Sequence, residues 1–259
     1  MFAPAHLRVA HRDRAILGGS LVAIAAAAWL ALWLWEGSPY GHYLHHDGVV
    51  GAGSLATTLA VGAAAFTVGW TLMIVAMMLP SSVPLVVTFG ALVGRRQRPA
   101  RLVALLLLGY LLVWAGFGFV AWIGDRGIHA AVDALPWLAE HPQLIIGTTL
   151  LAAGLWQFSP LRDRCLDECR SPLGFVLNRW RGLSERREAL LMGIAHGAFC
   201  VGCCWPLMLV MFGIGISSLS AMLVLGGITA VEKNLPQGRR LTRPLGVALI
   251  LAAVYAVAA

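Results

Sequence analysis

Residues 56–94 read ATTLAVGAAAFTVGWTLMIVAMMLPSSVPLVVTFGALVG, a run without one charged side chain. A helix needs about 20 apolar residues to cross a membrane, and this run exceeds that length. The whole chain has the same bias, because 59% of its 259 residues are hydrophobic and only 12% are charged. Soluble domains carry roughly 25% charged residues. The sequence therefore predicts an all-α polytopic membrane protein, with residues 1–259 forming a single membrane domain.

Apolar runs predict about seven transmembrane spans. They cover residues 15–35, 60–94, 100–123, 143–159, 189–212, 214–231 and 244–258. The second run is longer than one crossing requires, and it contains Pro80 and Pro84. We therefore expect one long helix that is kinked at these prolines. The first run is too long for a signal-peptide core, so we expect it to remain as a span.

The basic residues predict the orientation of these spans. The N-terminus and the loops after the second, fourth and sixth spans hold 18 of the 19 Lys and Arg residues, and Arg126 alone lies on the other side. Because positively charged loops stay in the cytoplasm, we expect a cytoplasmic N-terminus and a multi-pass protein surrounded by lipid in a bacterial inner membrane. This distribution accounts for the net charge of +7, so we expect no nucleic-acid partner.

The segment HGAFCVGCCWPLM, residues 196–208, holds three of the five cysteines. At 100° per residue, the side chains of His196, Cys200, Cys203 and Cys204 fall within an arc of about 100° on one helix face. A lone buried cysteine is usually a small apolar residue. Three cysteines with a histidine on the same apolar helix favour a soft-metal site.

Two further features of this helix concern its backbone. Gly193 and Gly197 form a G-x-x-x-G pair at the edge of the cysteine face, which predicts that a neighbouring helix approaches closely there. Pro206 lacks an N–H group, so it should free a backbone carbonyl just beyond the sulfur atoms.

The segment WTLMIVAMMLPSSVP, residues 70–84, should bring Met77 and Met78 to a similar depth. Three thiolates around one Cu(I) would leave a net charge of −2 in a medium of low dielectric constant, whereas thioether and imidazole ligands add no charge. We therefore predict a Cu(I) site, with zinc less favoured. Its ligand candidates are His196, Cys200, Cys203, Cys204, Met77 and Met78. Ser81 and Ser82 could instead satisfy backbone groups that the kink releases.

Four segments together resemble the signature blocks of a bacterial family, domain of unknown function 2182, whose members are described as predicted metal-binding integral membrane proteins. In order, they are MIVAMMLPSSVP, FSPLRDRCLDECRSPLGF, HGAFCVGCCWPLM and VEKNLPQG. The resemblance covers most of residues 70–250. It implies metal binding, but it implies neither a reaction nor a particular metal.

Cys165 and Cys169 form a secondary candidate site in the predicted cytoplasmic loop after the fourth span. Their i, i+4 spacing would put both thiols on one helix face. Flanking arginines could lower a thiol pKa, and the reducing cytoplasm disfavours a permanent disulfide. Metal transfer, a redox switch and a capped interfacial helix are the open interpretations.

Other secondary candidates lie near the predicted membrane surfaces. His42, His45 and His46, in the outer segment HYLHHD, could collect a metal weakly or form a solvated loop. Glu232 could neutralise a passing cation, or it could form an interfacial ion pair with Lys233.

These features favour copper handling over catalysis. The sequence contains none of the motifs typical of ATP use, zinc proteases or serine hydrolases. The leading hypothesis is an inner-membrane protein that acquires, passes or delivers copper to a membrane copper enzyme. One alternative is a membrane thiol-disulfide oxidoreductase that uses the C-x-x-C pair Cys200 and Cys203. Another is a non-catalytic subunit of a larger membrane complex, with the Gly193 and Gly197 face as a contact.

Overall fold

The structure is a computed structural model that describes residues 5–36, 55–214 and 218–258. Within these ranges every regular element is helical, which confirms the all-α prediction. The helices are α1 Ala5–Glu36, α2 Leu55–Met77, α3 Leu79–Val93, α4 Pro99–Ala134, α5 Pro136–Ala139, α6 Gln143–Trp156, α7 Pro160–Arg170, α8 Pro172–Arg179, α9 Glu185–Ile214, α10 Leu219–Asn234 and α11 Thr242–Ala258. A 3-10 helix, Gly238–Leu241, precedes α11.

Five helices in the described ranges are long and apolar enough to cross a membrane. They are Asp13–Glu36, Leu59–Met77, Pro99–Ala134, Glu185–Met211 and Gly238–Ala258. The count becomes six if α6 and α7 form one span that is bent by 67°. The long apolar helices agree with a membrane protein, but neither the predicted count of seven nor the cytoplasmic N-terminus is confirmed.

The helices at the fourth and sixth predicted spans, α6 and α10, are short. With 14 residues, α6 is about 21 Å long, and α10 with 16 residues is about 24 Å long. The hydrocarbon core of a bilayer is about 30 Å thick, so neither helix crosses it alone unless the bilayer thins around it. Beyond α6 the chain does not leave the bundle, because α7 packs against α9.

The second predicted span is interrupted at one residue near the prolines. Helix α2 ends and α3 begins on either side of Met78, two residues before Pro80. The hydroxyl groups of Ser81 and Ser82 donate to the Met78 carbonyl oxygen at 2.8 and 3.3 Å. The serines therefore bind a carbonyl at the interruption, but not the carbonyl that Pro80 leaves without a donor.

A tryptophan repairs the backbone next to this break. Pro80 has no N–H, so the carbonyl four residues earlier, at Ala76, loses its helical donor. The indole Nε1 of Trp29, on α1, donates to that oxygen at 3.1 Å. Helix α1 packs against both α2 and α3, so this bond ties it to the junction between them.

The same arrangement occurs at Pro206. This residue lacks the N–H that would bind the carbonyl of Gly202, and the indole Nε1 of Trp156, on α6, donates to that oxygen at 3.0 Å. The freed carbonyl that the sequence predicted is therefore satisfied. Helix α9 continues without a break through the proline to Ile214.

Helix α9 is central and packs most extensively on α4. A Cβ atom at Gly193 would clash with the backbone carbonyl of Leu106, and one at Gly197 would lie 3.1 Å from the carbonyl oxygen of Tyr110. The predicted close helix approach is thus confirmed, and the neighbour is α4 of the same chain. Because α4 already covers this face, it is not available as the contact with another subunit that the third hypothesis required.

Candidate metal site

Helix α9 buries its predicted ligand residues in the interior. His196, Cys200, Cys203 and Cys204 are each at most 3% exposed. The thiol groups of Cys203 and Cys204 both donate to the backbone carbonyl of Cys200, at 3.1 and 3.0 Å. The three cysteines belong to the same buried cluster as the methionines of α2.

A lysine reaches Cys200 from another helix. The Nζ atom of Lys233, near the end of α10, lies 3.0 Å from the Sγ atom of Cys200 and 3.9 Å from the Sδ atom of Met78. The hydroxyl group of Tyr110 lies 3.3 Å from the same Sγ. Lys233 is only 5% exposed, so its charge is removed from water. A buried ammonium is costly unless it is paired, and the Sγ atom of Cys200 is the partner within hydrogen-bond distance.

Glu232 points away from this site. Its carboxylate forms a 2.7 Å ion pair with Arg162, and Thr242 donates to it at 3.1 Å while accepting from Arg162 at 2.9 Å. The predicted ion pair between Glu232 and Lys233 is therefore wrong. Consecutive residues of a helix point about 100° apart, so these two side chains reach different partners.

Helix α7 fixes the end of α10. The guanidinium of Arg170 donates to the backbone carbonyls of Glu232, Leu235 and Pro236, the last two at 2.8 and 3.1 Å. The last carbonyls of a helix have no helical donor, so this contact satisfies them. Since Lys233 lies in the same turn, α7 also sets the position from which its ammonium reaches Cys200.

The cysteines of α7 join the same cluster. The Sγ atom of Cys165 packs directly on Gly202, where a Cβ would approach it to 2.6 Å, and the thiol of Cys169 lies next to Cys203. The predicted common face of these two cysteines therefore exists, and it meets α9. Residues 160–172 are predicted to lie in a cytoplasmic loop, so the sequence alone does not place these cysteines beside α9.

His196 lies between two aromatic rings. It stacks on Tyr110 and makes an edge contact with Phe175, each with a centroid distance of 5.5 Å. Its Nε2 atom is 3.2 Å from the hydroxyl oxygen of Ser82, and its buried Nδ1 atom has no hydrogen-bond partner within the ranges that the structure describes. The histidine thus bridges α9 to α3, with one ring nitrogen still able to accept a ligand or a proton.

The two predicted methionines have different neighbours. Met77 packs against Gly226 on α10, whereas Met78 reaches the ammonium of Lys233. Several further methionines that the sequence analysis did not select surround them in the same buried cluster. They are Met73, Met208, Met211 and Met222. Lys233 was missed as well, although a lysine at the end of an apolar helix next to a glutamate could have drawn attention to it.

The site does not have the form of a multi-residue cage. Within the ranges that the structure describes, no three His, Cys, Asp or Glu residues are grouped so that they could hold a metal ion. Lys233 stands at the Cys200 sulfur, and the thiols of Cys203 and Cys204 turn to a carbonyl. The secondary candidates His42, His45 and His46 lie outside the described residues.

Comparisons with known proteins identify the family. No curated protein and no solved structure matches the chain significantly. The sequence model of one family, described as PpoB2, a copper chaperone, matches residues 67–256. The match covers both sulfur-bearing segments as well as α7 and α10, and it supports the copper prediction, although it does not carry the name of domain of unknown function 2182. Since the match spans well over half of the sequence, the chain belongs to the PpoB2 copper chaperone family.

Proposed function

We propose that this protein is a membrane copper chaperone that carries Cu(I) between the Cys200 thiolate and the Met78 thioether. The observation that carries this proposal is the position of Lys233. Its ammonium lies between these two sulfur atoms, 3.0 Å from one and 3.9 Å from the other, in the protein interior. Thiolates and thioethers are the soft ligands that favour Cu(I).

Copper takes the place of the ammonium in this proposal. Lysine has a flexible four-carbon stem, so its head group can move aside without a change in the fold. The displaced ammonium stays within reach and balances one further thiolate, from Cys203 or Cys204. A Cu(I) ion with two thiolates has a net charge of −1, and Lys233 offsets it, which removes much of the cost of burying an anionic complex.

The remaining cysteines offer a route for the cargo. Cys200 and Cys203 are buried, Cys169 lies next to Cys203, and Cys169 is itself partly exposed. Cu(I) would pass along this row by exchanging one sulfur ligand at a time. The row ends on α7, so we propose that the receiving copper enzyme approaches this helix. We further propose that the protein resides in the bacterial inner membrane.

A Cu(I) competition titration tests the assignment. The purified full-length protein is titrated anaerobically against a chromogenic Cu(I) chelator, together with the C200S, M78L and M192L variants. Met192 is the matched control, because it is as buried as Met78 but belongs to the other apolar cluster. We expect weaker binding in C200S and M78L and unchanged binding in M192L. Wild-type affinity in C200S would contradict the proposal.

The same preparations test the thiol oxidoreductase hypothesis. That hypothesis requires a disulfide between Cys200 and Cys203 that forms and breaks reversibly. Thiols are counted after mild oxidation, with and without one equivalent of Cu(I). Our proposal expects copper to protect Cys200 from oxidation. Rapid, reversible loss of two thiols that copper does not slow would favour the oxidoreductase.

A further inference from the structure

A second polar site lies away from the sulfur cluster, where α6 ends and α11 begins. It is a pocket of about 650 Å³. Its wall contains residues beyond α6, one acidic residue of α7 and the residues around the start of α11: Gln157, Phe158, Asp163, Arg239, Arg240, Thr242 and Arg243. None of these residues takes part in the proposed copper site.

The pocket has an excess of positive charge. Arg239 is engaged by acidic residues of α7, at 2.9 Å from Asp167 and 3.8 Å from Asp163. Arg240 and Arg243 have no ion-pair partner in the described part of the chain, and both are exposed. Two uncompensated guanidinium groups at the rim of one concavity favour an anion, and guanidinium geometry suits phosphate oxygens in particular.

Gln157 supplies the second observation. Gln157 lines the pocket and is only 1% exposed, and neither its amide nitrogen nor its amide oxygen has a hydrogen-bond partner among the described residues. Buried polar groups without partners are rare, because leaving them unsatisfied is unfavourable. The amide N–H₂ matches a phosphate oxygen, and the amide oxygen matches a hydroxyl group on the same ligand.

The surroundings are apolar in a way that suits a lipid. Phe158 in the pocket wall is 47% exposed, and Leu155 on α6 is 57% exposed. On α11, Val247 and Leu251 are exposed by 50% and 64%. These side chains continue from the pocket along two helices that belong to candidate membrane spans. A head group in the basic pocket would therefore place its acyl chains against an exposed hydrophobic surface.

We propose that this pocket binds the phosphate group of an anionic phospholipid, with Arg240 and Arg243 on the phosphate and Gln157 on the polar part of the head group. The proposal does not depend on copper binding. A bound phospholipid would provide an ion-pair partner for Arg240 and Arg243, and hydrogen-bond partners for the Gln157 amide, which these groups lack among the described residues. Inorganic phosphate offers the same oxygen atoms but lacks both the hydroxyl-bearing head group and the acyl chains.

Native mass spectrometry of the full-length protein tests this assignment. The protein in detergent receives phosphatidylglycerol, phosphatidylcholine or inorganic phosphate at matched concentrations. The R240Q/R243Q variant is compared with R186Q/R187Q, which removes the same charge from the exposed first turn of α9. We expect one retained phosphatidylglycerol in the wild type and in R186Q/R187Q, and at least about tenfold weaker retention in R240Q/R243Q.

A third variant separates specific recognition from overall charge. Q157L changes no charge, and we expect it to weaken phosphatidylglycerol retention severalfold. Equal losses in both arginine variants would overturn the proposal, because they would show diffuse attraction. Phosphatidylglycerol retained no better than phosphatidylcholine, even with inorganic phosphate bound, would overturn the lipid assignment.

Discussion

Pro80 and Pro206 each leave one backbone carbonyl without its helical donor, and in each case the N–H of an indole binds that carbonyl. Only Pro80 lies next to an interruption of the helix. Near Pro80 the indole of Trp29 binds the freed Ala76 carbonyl at 3.1 Å. Near Pro206 the indole of Trp156 binds the freed Gly202 carbonyl at 3.0 Å. Helix α9 nevertheless continues, whereas the chain breaks between α2 and α3.

The two sites differ in how many donors are missing. Helix α9 contains a single proline. The second proline of α3, Pro84, removes another donor four residues after Pro80, and the hydroxyls of Ser81 and Ser82 draw on the Met78 carbonyl. One indole thus restores one bond but not the continuity of a helix. A continuous α9 keeps its histidine and cysteines in phase, and Met78 keeps the phase of α2 because its N–H still donates to the Ile74 carbonyl oxygen at 2.8 Å.

The largest loss of Cu(I) binding is expected for the substitution of Cys200, on the continuous helix α9. We expect C200S to weaken Cu(I) binding about 100-fold or more, equivalent to ~2.7 kcal/mol, because it removes the anionic sulfur that contacts Lys233. The measurement is the anaerobic chelator competition described above. A loss in C200S smaller than that in M78L would reverse the proposed ranking of the two helices.

The broken helix should contribute less to binding. We expect M78L to weaken Cu(I) binding about tenfold, or ~1.4 kcal/mol, because a neutral thioether holds Cu(I) less strongly than a thiolate does. M192L, which removes a buried thioether from the other cluster, should leave the affinity unchanged. Equal losses in the two variants would mean that Met78 acts only through packing.

The hydrogen bond from Trp156 to the Gly202 carbonyl is expected to produce a coupling free energy between the substitutions of Trp156 and Pro206. W156F leaves the Gly202 carbonyl without its donor, whereas P206A supplies an N–H that can replace it. In a double-mutant cycle on unfolding in detergent, we expect a coupling of about 1 kcal/mol, with W156F less damaging in the P206A background. The cycle also cancels the lost contact between Trp156 and Trp205, whose rings are 5.4 Å apart. Additive effects would show that the indole does not replace the missing donor.

The smallest effect is expected at the break itself. The chain is already interrupted at Met78, so the N–H introduced by P80A is not positioned by a continuous helix. We therefore expect W29F and P80A to be additive within about 0.5 kcal/mol. A coupling as large as that at Pro206 would indicate that P80A heals the break. In that case Met78 should also shift, and Cu(I) binding should weaken in P80A.

Much of the site could be predicted from local rules. Helical phase put His196 and three cysteines on one buried face, and the glycine pair predicted close packing on that helix. The serines next to Pro80 bind a backbone carbonyl at the interruption, although not the one that Pro80 leaves without a donor. These inferences needed only neighbours within a turn or two of one helix.

The rest depended on how distant segments meet. Lys233 contacts Cys200 across 33 positions, and each tryptophan lies 46 or 47 positions from the carbonyl that it satisfies. Periodicity within one segment gives no register between two segments. The error over Glu232 was avoidable, however, because adjacent residues on a helix do not face each other.

The lysine in the sulfur cluster also has a consequence for the choice of metal. In the proposed copper-bound site, two thiolates and one ammonium surround the metal, so a monovalent ion makes the site neutral. A divalent ion with the same neighbours would leave one uncompensated positive charge, which is unfavourable where water is excluded. We expect the protein to discriminate by valence as well as by softness. Replacing Lys233 with methionine should narrow the gap between the two metals in parallel titrations.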